Sequence, residues 1–133
     1  MVVAGLAGAV LSGAPSTVYA VAAGESVLEG ARAAGTILLP SEHRTLPLLI
    51  SATVAHLALS LGWAAVLARV LPRDHRRRWA PAAGVAIAAL DLGVVGRRIP
   101  AIRALAPGPQ VADHVAYALT VAAALDYCDR AGR

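Results

Sequence analysis

Thr45 to Ala68 reads TLPLLISATVAHLALSLGWAAVLA, twenty-four residues without a formal charge between Arg44 and Arg69. Coiled as a helix at ~1.5 Å per residue, this run outspans the ~30 Å hydrocarbon core of a bilayer, which about 20 apolar residues can cross. A helix on the surface of a water-soluble domain carries a charged face, and this one has none. The stretch therefore predicts a membrane span, and the rest of the chain is arranged around it.

The composition agrees. The 133 residues are 58% hydrophobic and only 15% charged, with a mean hydropathy of +0.65, which is too apolar for an ordinary soluble domain and fits one membrane domain over residues 1–133. Phe is absent and aromatics make up 4%, so the helices must meet through small side chains, as they do in lipid. The net charge of +4 comes from twelve Arg without a Lys. These Arg flank apolar runs instead of forming a basic stripe with interleaved aromatics, which argues against a nucleic-acid partner. Cys128 stands alone, so no intramolecular disulfide is available.

Three more spans are predicted, giving crossings over about 2–23, 46–70, 80–97 and 111–127. The first, within Met1 to Gly24, is uncharged and places Gly8, Ser12, Ser16 and Ala20 every four residues, a face of small side chains suited to another helix. Pro15 is expected to kink it, with Ser12, Ser16 or Thr17 satisfying the freed carbonyl. A cleaved signal peptide ending near Val18-Tyr19-Ala20 is the rival reading; the missing basic leader and the long, Pro-broken run count against it. A short amphipathic interfacial helix is expected over about 25–38, with Glu25, Glu29 and Arg32 on a solvated face. The second span carries Ala52, His56, Ser60, Ala64 and Ala68 at strict four-residue spacing, one narrow stripe of small or polar side chains. Then comes PRDHRRRW, Pro72 to Trp79, where Arg73, Arg76, Arg77, Arg78 and Trp79 read as topology signals in contact with lipid head groups.

Orientation follows the Arg. With the 72–79 turn on the cytoplasmic side of the cell (inner) membrane, that side holds seven Arg and the other five, and the densest cluster sits in the shortest loop; both termini are then cytoplasmic. Val54 to Ala68 also aligns loosely with Ala112 to Asp126, pairing His56 with His114, as two copies of one hairpin would.

Ionisable groups inside a span cost roughly 2.5 to 3.5 kcal/mol at the helix centre, so they face the bundle and often mark function. Counted from the end opposite the Arg-rich turn, His56 lies about ten residues in, Asp91 about six, His114 about four and Tyr117 about seven. Asp113 and Ser16 fall in the same half of the membrane. Three readings of this layer stay open. In one, Asp91 pairs with His56, His114 or Arg97 and the network holds helix register. In another, the same residues line a path for a small solute, ion or proton, with Asp91 titrating. In the last, His56, Asp91, Asp113 and His114 serve a metal or acid–base chemistry, although no HExxH or CxxC spacing supports it and neighbouring Asp113 and His114 do not easily face one centre. Gly5, Gly8 and Gly13 lack the Lys-Ser/Thr of a phosphate loop, and Gly93 to Gly96 lacks the strand–helix context of a dinucleotide site. No catalytic residue, cofactor or metal is assigned, and the chain is not expected to be an enzyme.

The segments SGAPSTVYA (12–20), ALDLGVVGRRIPAIRAL (89–105) and PQVADHVAY (109–117) resemble a group of small, uncharacterised four-helix membrane proteins of actinomycetes. The resemblance implies a membrane location and an all-α fold without an activity. The expectation is thus an all-α, four-helix transmembrane bundle with a short interfacial helix after the first span. Its partners are the bilayer and, through the small-residue faces, a second copy or another membrane protein; the function is structural or partner-binding, with a channel or carrier subunit using Asp91 as the alternative.

Overall fold

The computed structural model describes residues 1–132, which hold helices and turns and no strand. Three helical stretches are long and apolar enough to cross a membrane: Val2–Ala23, Thr45–Val70 and Arg73–Arg98. At most 28% of the apolar window in each is buried inside the protein. Their Val, Leu and Ile side chains, such as Val10, Ile50, Val54, Val85 and Leu90, mostly point outward, an arrangement that calls for apolar surroundings.

Proline steps set several boundaries, because the residue before a proline is pushed out of helical geometry. Arg44 is extended, and Thr45 starts α4 (Thr45–Val70), which tolerates Pro47 in its first turn. Leu71, extended at ψ 123°, ends α4 before Pro72. Ile99 and Ala106 are likewise extended before Pro100 and Pro107, which open α6 (Pro100–Arg103) and α7 (Pro107–Ala131).

The first apolar stretch is divided, not merely kinked. It forms α1 (Val2–Leu11) and α2 (Ala14–Ala23), separated at Ser12 and Gly13. Pro15 sits in the first turn of α2, where its missing N–H costs nothing. The Ser16 and Thr17 hydroxyls donate to the Gly13 carbonyl at 3.2 and 2.7 Å. Gly24 closes α2 at φ 70°, and the Glu25 N–H reaches the Ala20 carbonyl at 2.8 Å.

The helix expected over 25–38 is confined to α3 (Glu29–Gly35), seven residues long. It lies on α4: a Cβ on Gly35 would strike the backbone of Leu48, and Ser51 donates to the Gly35 carbonyl at 2.7 Å. The third stretch holds α5 (Arg76–Leu90), but regular α-geometry stops at Leu90. Asp91–Val95 form a wide π-turn and Gly96–Arg98 a 3₁₀ turn.

The last long helix, α7, is not one of the three apolar stretches; it carries Asp113, His114, Asp126 and Asp129. It is also the element the others surround, touching α1, α2, α4 and α5. Tyr117, Ala118, Val121, Ala122 and Leu125 are buried along it. The core they join includes Ala4, Ala64, Leu67, Leu71, Ala80 and Ile87. Five of these eleven core residues are Ala, so the helices approach closely. Between α5 and α7 a Cβ on Gly84 would lie 2.6 Å from Val115 Cα and 2.7 Å from the His114 carbonyl oxygen.

The contacts also give directions. Gly5 faces Leu61 and Ala64 while the Ala9 carbonyl meets His56, so α1 runs antiparallel to α4; Gly8 faces Tyr117 and Val121 while Ser16 meets Asp113, so the stretch of α1 and α2 runs antiparallel to α7. Arg76 meets Asp126 and Asp129 while Asp91 meets His114, so α5 is antiparallel to α7. The start of α1, the Arg-rich turn and the end of α7 therefore share one end of the bundle.

Candidate functional site

At the opposite end, three departures from regular helix build a polar layer. Splitting α1 from α2 leaves carbonyls at one helix end and N–H groups at the other start without intrahelical partners. His56 of α4 donates through Nε2 to the Ala9 carbonyl at 2.9 Å, in the last turn of α1. Asp113 of α7 accepts the Ser16 N–H at 2.9 Å, in the first turn of α2, so a side chain from another helix acts as the cap. The third departure is the π-turn, which begins at Asp91 and widens the helix where its carboxylate faces the bundle.

Asp91 Oδ2 accepts the Trp63 indole N–H at 3.1 Å and lies 3.4 Å from His114 Nε2. The other ring nitrogen of His114, Nδ1, is 2.7 Å from the Gln110 carbonyl. A carbonyl only accepts, so Nδ1 carries a hydrogen, and a hydrogen bond across the 3.4 Å between Nε2 and the carboxylate then takes one further proton, shared by the pair. Three helices are tied in this way through one carboxylate oxygen. One turn further along α7, buried Tyr117 donates its hydroxyl to the Ser60 carbonyl of α4.

These side chains line a cavity of about 270 Å³ bounded by α4, the π-turn, α7 and the break before α2. His56, Asp91, Asp113, His114 and Tyr117, five of the six residues predicted from the sequence, reach it. Ser16 does not; it lines an adjoining groove of about 550 Å³ together with Glu25, Glu29, His56 and Asp113. Asp113 and His114, expected to diverge, both border the inner cavity, one bonded toward α2 and the other toward Asp91. Trp63 was missed. Its signal was present, since an indole N–H within an uncharged span needs an acceptor. Arg97 is exposed and is not the partner of Asp91.

Among the described residues, no group of three or more His, Cys, Asp or Glu is placed to hold a metal ion. The Arg-rich end has its own network. Arg76, 4% exposed, holds Asp129 at 2.6 Å and Asp126 at 3.4 Å, and Arg77 holds Asp126 at 3.2 Å. Arg73, Arg78 and Trp79 are exposed around it. The turn read as a set of head-group contacts is therefore also clamped to the end of α7.

Comparisons with protein-family models, with curated proteins and with solved structures give no match for this chain.

Proposed function

We propose that this chain is a small multi-pass protein of the cell membrane, of the kind its sequence resembles in actinomycetes, in which α7 makes a fourth crossing shielded by three apolar ones. Its function is structural or partner-binding, and the polar layer keeps the helices in register. The observation that carries this reading is the Trp63–Asp91–His114–Gln110 chain, in which two hydrogen bonds and the 3.4 Å approach of His114 to Asp91 join three helices. In support of an even number of crossings, the start of α1, the Arg-rich turn and the end of α7 share one end of the bundle, the end that the positive-inside rule assigns to the cytoplasm. Outward apolar faces meet lipid or a second copy of the chain.

The test is single-cysteine labelling in a Cys128→Ala background with a membrane-impermeant maleimide. Positions 74 and 131 are expected to react from one side of inverted vesicles, and positions 41 and 108 only from the other. Equal reaction of all four from one side, without detergent, refutes the four-crossing reading. A second reading, a channel or carrier subunit using Asp91, is favoured by one observation, the cavity on which the Asp91 carboxylate borders.

A further inference from the structure

We infer that the 270 Å³ cavity is a binding site for a small lipophilic organic cation, an aromatic or branched alkyl ammonium ion. The inference rests on the membrane-embedded reading and gives the second reading a ligand class. The void is the starting observation. An apolar cavity of ~150 Å³ is enough to take up benzene, so this one has room for a benzene-sized ring with a small charged head. Most of its wall is apolar, including Leu59, Ile87 and Ile102, and Trp63 and Tyr117 add aromatic surface of the kind that attracts a quaternary ammonium group.

The sign of the ligand's charge follows from what the wall contains and leaves out. Twelve Arg give the chain a net charge of +4, yet no Arg among the described residues lines this cavity or the adjoining groove. The cavity wall carries the carboxyl groups of Asp91 and Asp113 beside the imidazoles of His56 and His114. The groove adds Glu25 and Glu29, and it shares His56, Gln110 and Asp113 with the cavity. A cation thus meets carboxylates along its approach and at its destination, whereas an anion meets no basic side chain other than histidine. Carboxylates lining a cleft raise the local concentration of cations and speed their arrival.

The experiment titrates phenyltrimethylammonium, whose charge does not depend on pH, into the Trp79→Phe protein in lipid nanodiscs and follows the emission of Trp63, then the sole tryptophan. The neutral isostere tert-butylbenzene and the anion benzenesulfonate are the controls. Saturable quenching by the cation, with at least tenfold weaker response to both controls, is expected. Asp113→Asn should weaken cation binding about tenfold. Glu29→Gln, on the groove and away from the register network, should slow association and flatten its salt dependence without changing the fold. Equal binding of cation and isostere overturns the inference, because it makes the cavity a generic apolar pocket for solvent or acyl chains. So does an unsaturable response in protein that gives the expected maleimide labelling pattern. Failure of that labelling pattern instead removes the membrane reading itself.

Discussion

Replacing Gly84 with Ala is the sharpest test of the α5–α7 contact. The added methyl would sit 2.6 Å from Val115 Cα and 2.7 Å from the His114 carbonyl oxygen. Ordinary contact begins near 3.4 Å, so relief requires about 0.8 Å of movement. The obstacles are backbone atoms of a helix, which no rotamer change can remove, so the two helices must part. Overpacking of this kind costs ~1–3 kcal/mol, and a rigid obstacle puts this case toward the upper end. Helix propensity returns up to ~1 kcal/mol on going from Gly to Ala, leaving a net loss of about 1–2 kcal/mol. Parting α5 from α7 also lengthens the 3.4 Å approach of His114 to Asp91 two turns away. Gly62 of α4 provides the control, since a Cβ there meets nothing within 4 Å, and Gly62→Ala should stabilise by ~0.5–1 kcal/mol. Reversible unfolding in mixed detergent–dodecylsulfate micelles, followed by helical circular dichroism, measures both. A Gly84→Ala protein as stable as the parent refutes the close helix contact and the register it sets.

Tyr117→Phe removes the hydroxyl that reaches the Ser60 carbonyl and should cost ~0.6–1.5 kcal/mol in the same assay, the range found for one interhelical hydrogen bond. Arg76→Met should cost about 2 kcal/mol, below the 3–5 kcal/mol of a fully buried pair, because Asp129 is 45% exposed and Arg77 still faces Asp126; loss of the fold altogether, or no change, contradicts this. In the connection before α4, the side-chain hydrogen bonds of Arg44, helped by the Arg44 and His43 N–H groups, hold the Glu42 carboxyl down at about 2 instead of 4.5. Because the folded value is the lower one, this turn is fully held above pH 4.5 and loosens as the pH falls toward 2. Carbon-detected NMR should find the Glu42 midpoint near 2, and Arg44→Gln should move it upward; a midpoint at 4.5 in the parent shows that the turn does not form.

Much of the candidate site could be read from the sequence because hydropathy and helical rise are local properties. An uncharged run from Thr45 and the clustering of His56, Asp91, Asp113, His114 and Tyr117 in one half of the spans needed only counting at 1.5 Å per residue. Proline steps at Leu71, Ile99 and Ala106 were equally local, since each boundary arises from a steric clash between neighbours. By contrast, the choice among His56, His114 and Arg97 as the partner of Asp91 depended on how closely α5 meets α7. That approach is allowed by Gly84 against the backbone of residues 114 and 115, about thirty residues away in the chain.

By itself, then, the sequence determined that the chain is helical, where it is apolar enough to cross a membrane, and which polar groups share one end of the helices, because hydropathy, proline geometry and helical rise act within a turn or two. Only the tertiary structure decided that the first apolar stretch divides at Ser12 and Gly13, that α3 lies on α4, that Asp91 opens a π-turn, and that α7, the long helix outside the three apolar stretches, is enclosed by the others. These outcomes hinge on which donors and acceptors find each other across helices. Asp113 can cap Ser16, and His56 can reach the Ala9 carbonyl, only when α7 and α4 lie beside the break. Trp63 and His114 meet on one oxygen of Asp91 for the same reason: the packing of small residues brings three helices close enough for a single carboxylate to span them.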